Sequence, residues 1–377
     1  MNILSVTIAP PGDDAQWIRI SSISRTLRDH GHNVRLVSHP VKRLRRGGRG
    51  RRQYDFHDQL AEVSEATVPR IPLMELREVK ETKCDIVYGN TYGGAFFCLP
   101  GKLRGVPLAV DMHGIPEESR LSAAPEGLGL LEQMTRKLMS ETSIHLSDGV
   151  ICVSRNMIDF FHQVKGIPGH RLYYVPNGAN LEMFNRVDAR NVSRVKKELG
   201  LDGKFVFGYL GGFQAWQGVK GFADAARLVT DNDAAFLIVG GDKRQTQGNL
   251  VVIPRVPQSL MPDYYSVCDV LVLPRPHHLA TDVAAPTKFA EYAAMRKPVL
   301  TTDVGDAASL VRAYRSGIVV NDSNPNVLAE GMRAFLSTDR NTLLKMGENS
   351  RRLAENEFDW NAICRNLEEC LTKVAST

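Results

Sequence analysis

No apolar run in the 377 residues approaches the ~20 needed to cross a bilayer as a helix, so a membrane span is not expected. Met1 leads directly into an alternating strand, with no basic segment and hydrophobic core behind it, and a cleaved secretory leader is not expected either. Cys84, Cys98, Cys152, Cys268, Cys364 and Cys370 form no C-x-x-C pair, and most stand within apolar runs. They read as reduced core thiols of a cytosolic protein rather than as disulfides or metal ligands. No G-x-G-x-x-G follows the first strand, which counts against a dinucleotide dehydrogenase. No Asp-x-Asp pair stands at a strand end to hold a metal, and there is no internal repeat or low-complexity tail. Acid is missing from one stretch in particular: residues 42–52 (K-R-L-R-R-G-G-R-G-R-R) hold seven bases and no acid, so of a net charge of +5 the rest of the chain carries −2. The protein has one basic arm and is otherwise not basic.

What is present is a soluble, globular composition, 43% apolar and 24% charged, in a chain long enough for two ordinary domains. Strand, loop, helix, strand recurs along it. Strands are expected at 2–7, 34–38, 85–88, 108–112, 149–153 and 173–175, with helices near 18–30, 94–103 and 128–146 and another starting near 156. After a charged linker over 186–204, strands follow at 205–210, 235–239, 250–253 and 270–273, with helices near 219–229 and 261–267 and a closing helix to about 374. This order predicts the α/β class, with two Rossmann-like, doubly wound domains.

The stretch 285–306 reads A-P-T-K-F-A-E-Y-A-A-M-R-K-P-V-L-T-T-D-V-G-D. Phe289, Tyr292, Ala293 and Met295 fall at helical spacing, predicting a helix over 286–295 with Pro286 at its first position, followed by a buried strand at 298–302. Ala285, at the expected cap, has no side-chain oxygen for the first amides, which leaves them and the helix dipole to an outside anion. Lys288 and Glu291 share a face. Glu291 lies roughly 7 Å along the axis from Pro286 at about 1.5 Å per residue, about the span from a diphosphate to a ribose. A plainer reading, an amphipathic helix with a surface Lys and Glu, fits the pattern too.

The pattern P-x-K-x-x-E-Y-x-A-x-x-K-P-V-x-x-T-D-V-G-D resembles the donor-nucleotide motif of retaining glycosyltransferases of the GT-B fold, in family 4 (glycosyl transferases group 1). The resemblance implies two facing domains with a cleft between them, the first (1–185, plus a crossover helix at about 361–377) taking the acceptor and the second (186–360) the nucleotide sugar. It implies that Lys288 supports the diphosphate, that Glu291 holds the ribose hydroxyls and that the amides after Pro286, from Thr287 on, meet the phosphates. In this family two glutamates are often separated by seven residues, the first near the transferred sugar. Here that place falls on Val283, and its neighbour Asp282 substitutes only if the loop shifts.

Other segments fit less closely. Pro176-Asn177-Gly178-Ala179-Asn180 resembles the V-P-N-G-V-D signature before the family's domain junction, or is simply an N-G turn. Gly211 and Gly212, between a strand and a helix, allow close approach of a diphosphate. The family commonly follows them with an Arg and then a Lys; this chain has Phe213 and Gln217, with Lys220 the nearest replacement. Arg255 and Val256 stand where the family binds the base. Asp111-Met112-His113 resembles a D-x-H segment whose His approaches the donor sugar, against the alternative of a structural His at a strand end; Glu117 is a weaker neighbour. Gly12, Asp13 and Asp14 fall in the loop facing acceptor and sugar, or are solvated turn residues. His277 and His278 point apart, make a poor metal site, and read as loop residues near the sugar.

The function implied is transfer of a sugar from a nucleoside-diphosphate sugar to an acceptor hydroxyl with retention, in glycan, glycolipid or surface-polysaccharide synthesis. His113, Lys288 and Asp282 are the catalytic candidates, and neither metal nor cofactor is expected. The alternative is a catalytically weakened, nucleotide-sugar-binding partner subunit of the same fold. A sugar-nucleotide epimerase on this fold ranks lower. The basic arm is either a solvated loop or a contact for anionic lipid or a lipid-linked acceptor, where each base contributes ~1 kcal/mol. Nucleic acid is not expected as a partner, since no aromatics interleave with the arginines. The resulting expectation is a cytoplasmic enzyme, peripheral at the inner membrane face.

Overall fold

Short apolar runs alternating with amphipathic ones build two parallel sheets in succession. The computed structural model describes residues 1–12, 14–40, 61–63, 71–116 and 130–377. By contact density, residues 1–116, 130–176 and 360–377 form one compact unit, and 177–359 form another.

The first unit holds β1 (Asn2–Thr7), β2 (Asn33–Ser38), β3 (Ala61–Val63), β4 (Ile86–Asn90), β5 (Leu108–Met112), β6 (Gly149–Cys152) and β7 (Leu172–Tyr174), in the order β3-β2-β1-β4-β5-β6-β7. All described pairings in this sheet are parallel. Helices cover both faces of a parallel sheet, so its strands read as nearly unbroken apolar runs; β4 and β5 are buried at every position. The closing helix, Trp360–Ala375, belongs to this unit. Its stripe Trp360, Ile363, Cys364, Leu367, Leu371 and Val374 packs against Ile3, Ile23, Ile86 and Ile151, where each buried aliphatic side chain contributes about 1.5–3 kcal/mol.

The second unit adds β8 (Phe205–Leu210), β9 (Ala234–Gly241), β10 (Gln245–Gln247), β11 (Leu250–Pro254), β12 (Val270–Leu273), β13 (Val299–Thr302) and β14 (Gly317–Val320), ordered β10-β11-β9-β8-β12-β13-β14. Its one described antiparallel pair is β10 with β11, at the edge. Strand order reverses between β8 and β12, and in open α/β sheets ligands bind outside the carboxyl ends of strands at such a switch point. Gly211 follows β8 and Pro274-Arg275 follows β12, so the glycine loop and Arg275 flank it.

Three expectations about elements need correcting. The first helix begins at Ala15 rather than near 18, because the Asp14 carboxylate accepts from the Trp17 amide at 2.8 Å and caps it. The charged segment after 186 contains a helix, Ala189–Leu199, capped by Asp188 and closed by Gly200 in the left-handed region. Its charge hid a stripe of Val192, Val195 and Leu199 that packs onto the core of the second unit. In the donor-motif helix, Pro286 is the cap itself and the helix runs Thr287–Ala294. The basic arm at 42–52, Asp13 and Glu117 lie outside the described residues. Among the described residues no helix is long and apolar enough to cross a membrane. All six cysteines are free thiols, five of them buried, and burial pushes Cys268 up to about 12, an unreactive thiol.

Candidate functional site

The Thr287–Ala294 helix is short and almost wholly buried, and its cap offers no side-chain hydrogen bond. Its first amides therefore end in the helix's positive pole with no side-chain acceptor. The entry is fixed from far along the chain: the Asn177 side-chain Nδ2 donates to the Ala285 carbonyl at 2.7 Å. The P-N-G signature thus braces the start of the donor-motif helix, a role its N-G turn alone does not indicate.

Lys288 is only 9% exposed. Its Nζ donates to the Tyr209 hydroxyl at 2.7 Å and to Gln217 Oε1 at 3.0 Å, and lies 4.3 Å from the Tyr209 ring centroid. Tyr209 in turn donates to the Gly212 carbonyl at 2.6 Å, so the lysine, tyrosine and glycine loop form one chain of hydrogen bonds. Gly211 is required here: at its φ of 150° a Cβ would stand 2.4 Å from Lys288 Nζ. Burial, then the charge of Arg275, lowers Lys288 to about 7, with Glu291 pulling the other way.

Glu291, also buried, accepts from the Tyr265 hydroxyl at 2.5 Å and from Gln258 Nε2 at 2.8 Å. Burial raises its pKa against the opposing pull of Tyr265, Gln258 and Lys288. Gln258 lies just beyond Arg255 and Val256, so the loop after β11 reaches the Glu291 carboxylate. Of these two, Arg255 is exposed and Val256 packs on the core.

The Lys220 side chain is 91% exposed and pairs with Asp224 at 2.8 Å. Val283 is 2% exposed and belongs to the buried residues. Asp282 ends a short helix, Leu279–Asp282, and lies 3.7 Å from His277. His278 caps that helix, accepting from the Ala280 amide at 3.1 Å, which gives it a structural task. A cavity of about 480 Å³ is lined by Phe213, Gly218, Lys220, Arg227, Leu250 and Val252, among others; neither Lys288 nor Glu291 lines it.

In the first unit, His113 Nε2 sits 3.0 Å from Asp111. Asp111 is fully buried, held by Arg19 through two hydrogen bonds of 2.9 Å and by the Tyr88 hydroxyl at 2.5 Å. Burial alone would raise this carboxyl, but Arg19 and then His113 outweigh it and hold Asp111 well below the usual carboxylate range. A carboxylate only accepts, so Nε2 is the donor; the buried Nδ1 has no hydrogen-bond partner among the described residues. Arg19 also donates to the carbonyls of Val175 and Pro176 at 3.0 and 2.7 Å, tying β5 to the P-N-G segment. Gly12 lies in the loop after β1, and Asp14 is the helix cap described above.

Sequence reasoning missed Arg19, Tyr209, Gln258, Tyr265 and Arg275. Their only sequence signal is a polar or phenolic group in an apolar context. Among the described residues no group of three or more His, Cys, Asp or Glu is arranged to hold a metal ion.

Two family models match successive stretches of the chain. Residues 18–183 match the model of Glycosyltransferase Family 4, and residues 204–338 that of Glycosyl transferases group 1. A D-inositol 3-phosphate glycosyltransferase of Xylanimonas cellulosilytica is 23% identical over 68% of this chain, and the match spans 63% of that protein. The putative teichuronic acid biosynthesis glycosyltransferase TuaH of Bacillus subtilis is 24% identical over 72% of this chain and 70% of its own length. Among solved structures, sucrose-phosphate synthase of Thermosynechococcus elongatus superposes with a TM-score of 0.78 at 16% identity, covering 100% of both chains. HepE of Anabaena, solved with UDP, gives 0.75 at 17%, covering 99% of this chain and 100% of that one. With its two parallel α/β units and a family match over each, the chain belongs to the family 4, group 1 glycosyltransferases of the GT-B fold.

Proposed function

We propose that the protein transfers a sugar from a nucleoside-diphosphate sugar to an acceptor hydroxyl with retention of configuration, as a step in polysaccharide or glycoconjugate synthesis. One observation carries the reading: a buried lysine and a buried glutamate on one short helix, behind an amino terminus with no side-chain cap. Support comes from relatives named as glycosyltransferases, three with teichuronic or colanic acid biosynthesis in their names, and from the likeness to HepE, solved with UDP and with UDP-glucose.

In this reading the phosphates take the amides of Thr287 and Lys288, and Lys288 Nζ exchanges Tyr209 and Gln217 for phosphate oxygens. A carboxylate has about four acceptor sites; Tyr265 and Gln258 use two at Glu291, and the ribose hydroxyls take the others. Arg255 and Val256 flank the base. Breaking the bond from the anomeric carbon to the diphosphate demands stabilisation of the leaving group above all, which cations and helix amides supply without a metal. In the first unit, His113 is assigned to a sugar hydroxyl through its open Nδ1. The arm at 42–52 is assigned to an anionic membrane face or a lipid-linked acceptor, and its deletion should abolish co-sedimentation with anionic vesicles while sparing donor binding.

The test is a thermal-shift screen against UDP, GDP, ADP and their sugars, without metal and then with magnesium, followed by NMR assignment of the product anomer. Stabilisation by one nucleotide without metal is the expected result; silence across the panel refutes the donor site. A second reading, a partner subunit that binds donor without turning it over, is favoured by one observation. Gln217, where the family commonly has a cation, instead accepts a hydrogen bond from Lys288. Nucleotide binding without release of nucleoside diphosphate to any acceptor would establish that reading.

A further inference from the structure

A departing nucleoside diphosphate carries more negative charge than one lysine balances, and the loop from Gly211 to Gly218 (G-G-F-Q-A-W-Q-G) contains no base. Lys220, the next base along, turns to solvent. The other side of the switch point is different. Arg275 stands two residues beyond the end of β12, is 6% exposed, and its carbonyl is held by the Thr302 hydroxyl at 2.6 Å. The glycine loop is pressed onto this segment: a Cβ on Gly218 would stand 1.6 Å from the Pro274 carbonyl oxygen and 3.4 Å from the Arg275 amide. Next to Gly218, Gln217 holds Lys288. Arg275 and Lys288 are therefore two buried basic residues whose segments meet where the strand order reverses.

We propose that Arg275 is the second cation of the donor site, its guanidinium taking diphosphate oxygens beside Lys288. The proposal rests on the reading that the nucleotide sugar binds at the Thr287–Ala294 helix. A guanidinium suits the task, since its planar fork meets two phosphate oxygens at once. With the site empty its charge opposes that of Lys288 and acts on Tyr209 as well; an arriving diphosphate turns that repulsion into joint attraction. As the bond from the anomeric carbon breaks, its electron pair stays on the terminal phosphate oxygen. The acceptor oxygen bonds to that carbon, and its proton passes to the same phosphate oxygen, leaving a glycoside and free nucleoside diphosphate. Arg275 and Lys288 stabilise the charge that accumulates there.

The experiment compares wild type, Arg275→Lys and Arg275→Gln by calorimetric titration with whichever of UDP, GDP or ADP binds wild type, and with the matching monophosphate. Arg275→Gln should weaken the diphosphate by about 30-fold or more and the monophosphate by only a few-fold, with Arg275→Lys between them. In turnover, Arg275→Gln should lower kcat more than it raises KM. Removing the neighbouring charge should also move the pH midpoint of diphosphate binding upward; the diphosphate-to-monophosphate ratio is the readout that a purely structural arginine would leave in place. An unchanged diphosphate-to-monophosphate ratio in folded Arg275→Gln, or in Arg275→Lys if the glutamine variant does not fold, overturns the assignment while leaving the donor site standing. If wild type binds none of the three nucleotides, both the assignment and the donor site fall.

Discussion

Donor binding should take up a proton, because Lys288 sits near 7 in the empty site and must be charged to hold a diphosphate. At pH 8 only about one-tenth of the empty protein carries the charge, while the bound state carries nearly all of it, so about 0.9 proton is absorbed per nucleotide. Apparent affinity should fall about tenfold per pH unit between pH 7.5 and 9, or ~1.4 kcal/mol per unit. That window lies above the second phosphate ionisation near pH 6, so the ligand's own titration does not intrude. The stability of the empty protein should move the other way. The folded pKa lies below the ordinary 10.5, so the folded state binds fewer protons than the unfolded one. This contribution is fully present above 10.5, declines as pH falls, and is gone below about 7. Calorimetry at pH 8 in buffers of different ionisation enthalpy reads the uptake directly, and urea melts from pH 7 to 10 read the stability slope. Lys288→Met should abolish both trends. Nucleotide binding with no proton uptake and flat affinity from pH 7.5 to 9 would refute the electrostatic account of the site.

Glu291→Ala should cost ~2–5 kcal/mol of nucleotide affinity and, by orphaning the Tyr265 hydroxyl, about 1–3 kcal/mol of stability with the fold intact; unchanged affinity by calorimetry removes the ribose from Glu291. Gly218→Ala forces a Cβ to within 1.6 Å of a carbonyl oxygen at a φ of 72°, and should cost at least ~3 kcal/mol in a urea melt; a wild-type midpoint would mean the loop does not lie against Pro274. Arg19→Met leaves Asp111 buried without its cation, for a loss of about 3–5 kcal/mol at pH 7. The bound arginine holds Asp111 ionised to low pH; without it, burial lets the carboxyl protonate earlier. The stability gap should therefore narrow as pH falls toward 4, and a pH-independent gap would show that lost packing, not the ion pair, sets the cost.

What the sequence by itself determined is whatever depends on neighbours a few residues apart. Alternating strands and helices, the closing helix with its apolar stripe at 360, 363, 367, 371 and 374, and the pairing of Lys288 with Glu291 on one helix all follow from periodicity along the chain. Even at short range the reading slipped where a charged surface concealed a narrow stripe, as at Ala189–Leu199, or where an acid served its own helix, as Asp14 does. Tertiary structure alone decided which polar groups enter the interior and what they meet there. Arg19 meets Asp111 across 92 residues, Asn177 reaches Ala285 across 108, and Tyr209 meets Lys288 across 79. Arg275 comes to lie beside the glycine loop only because strand order reverses next to it. The physical reason is that burying a charge or hydroxyl is costly unless a partner is in place. That partner comes from whichever strand or loop the sheet order brings alongside, and no local pattern encodes it.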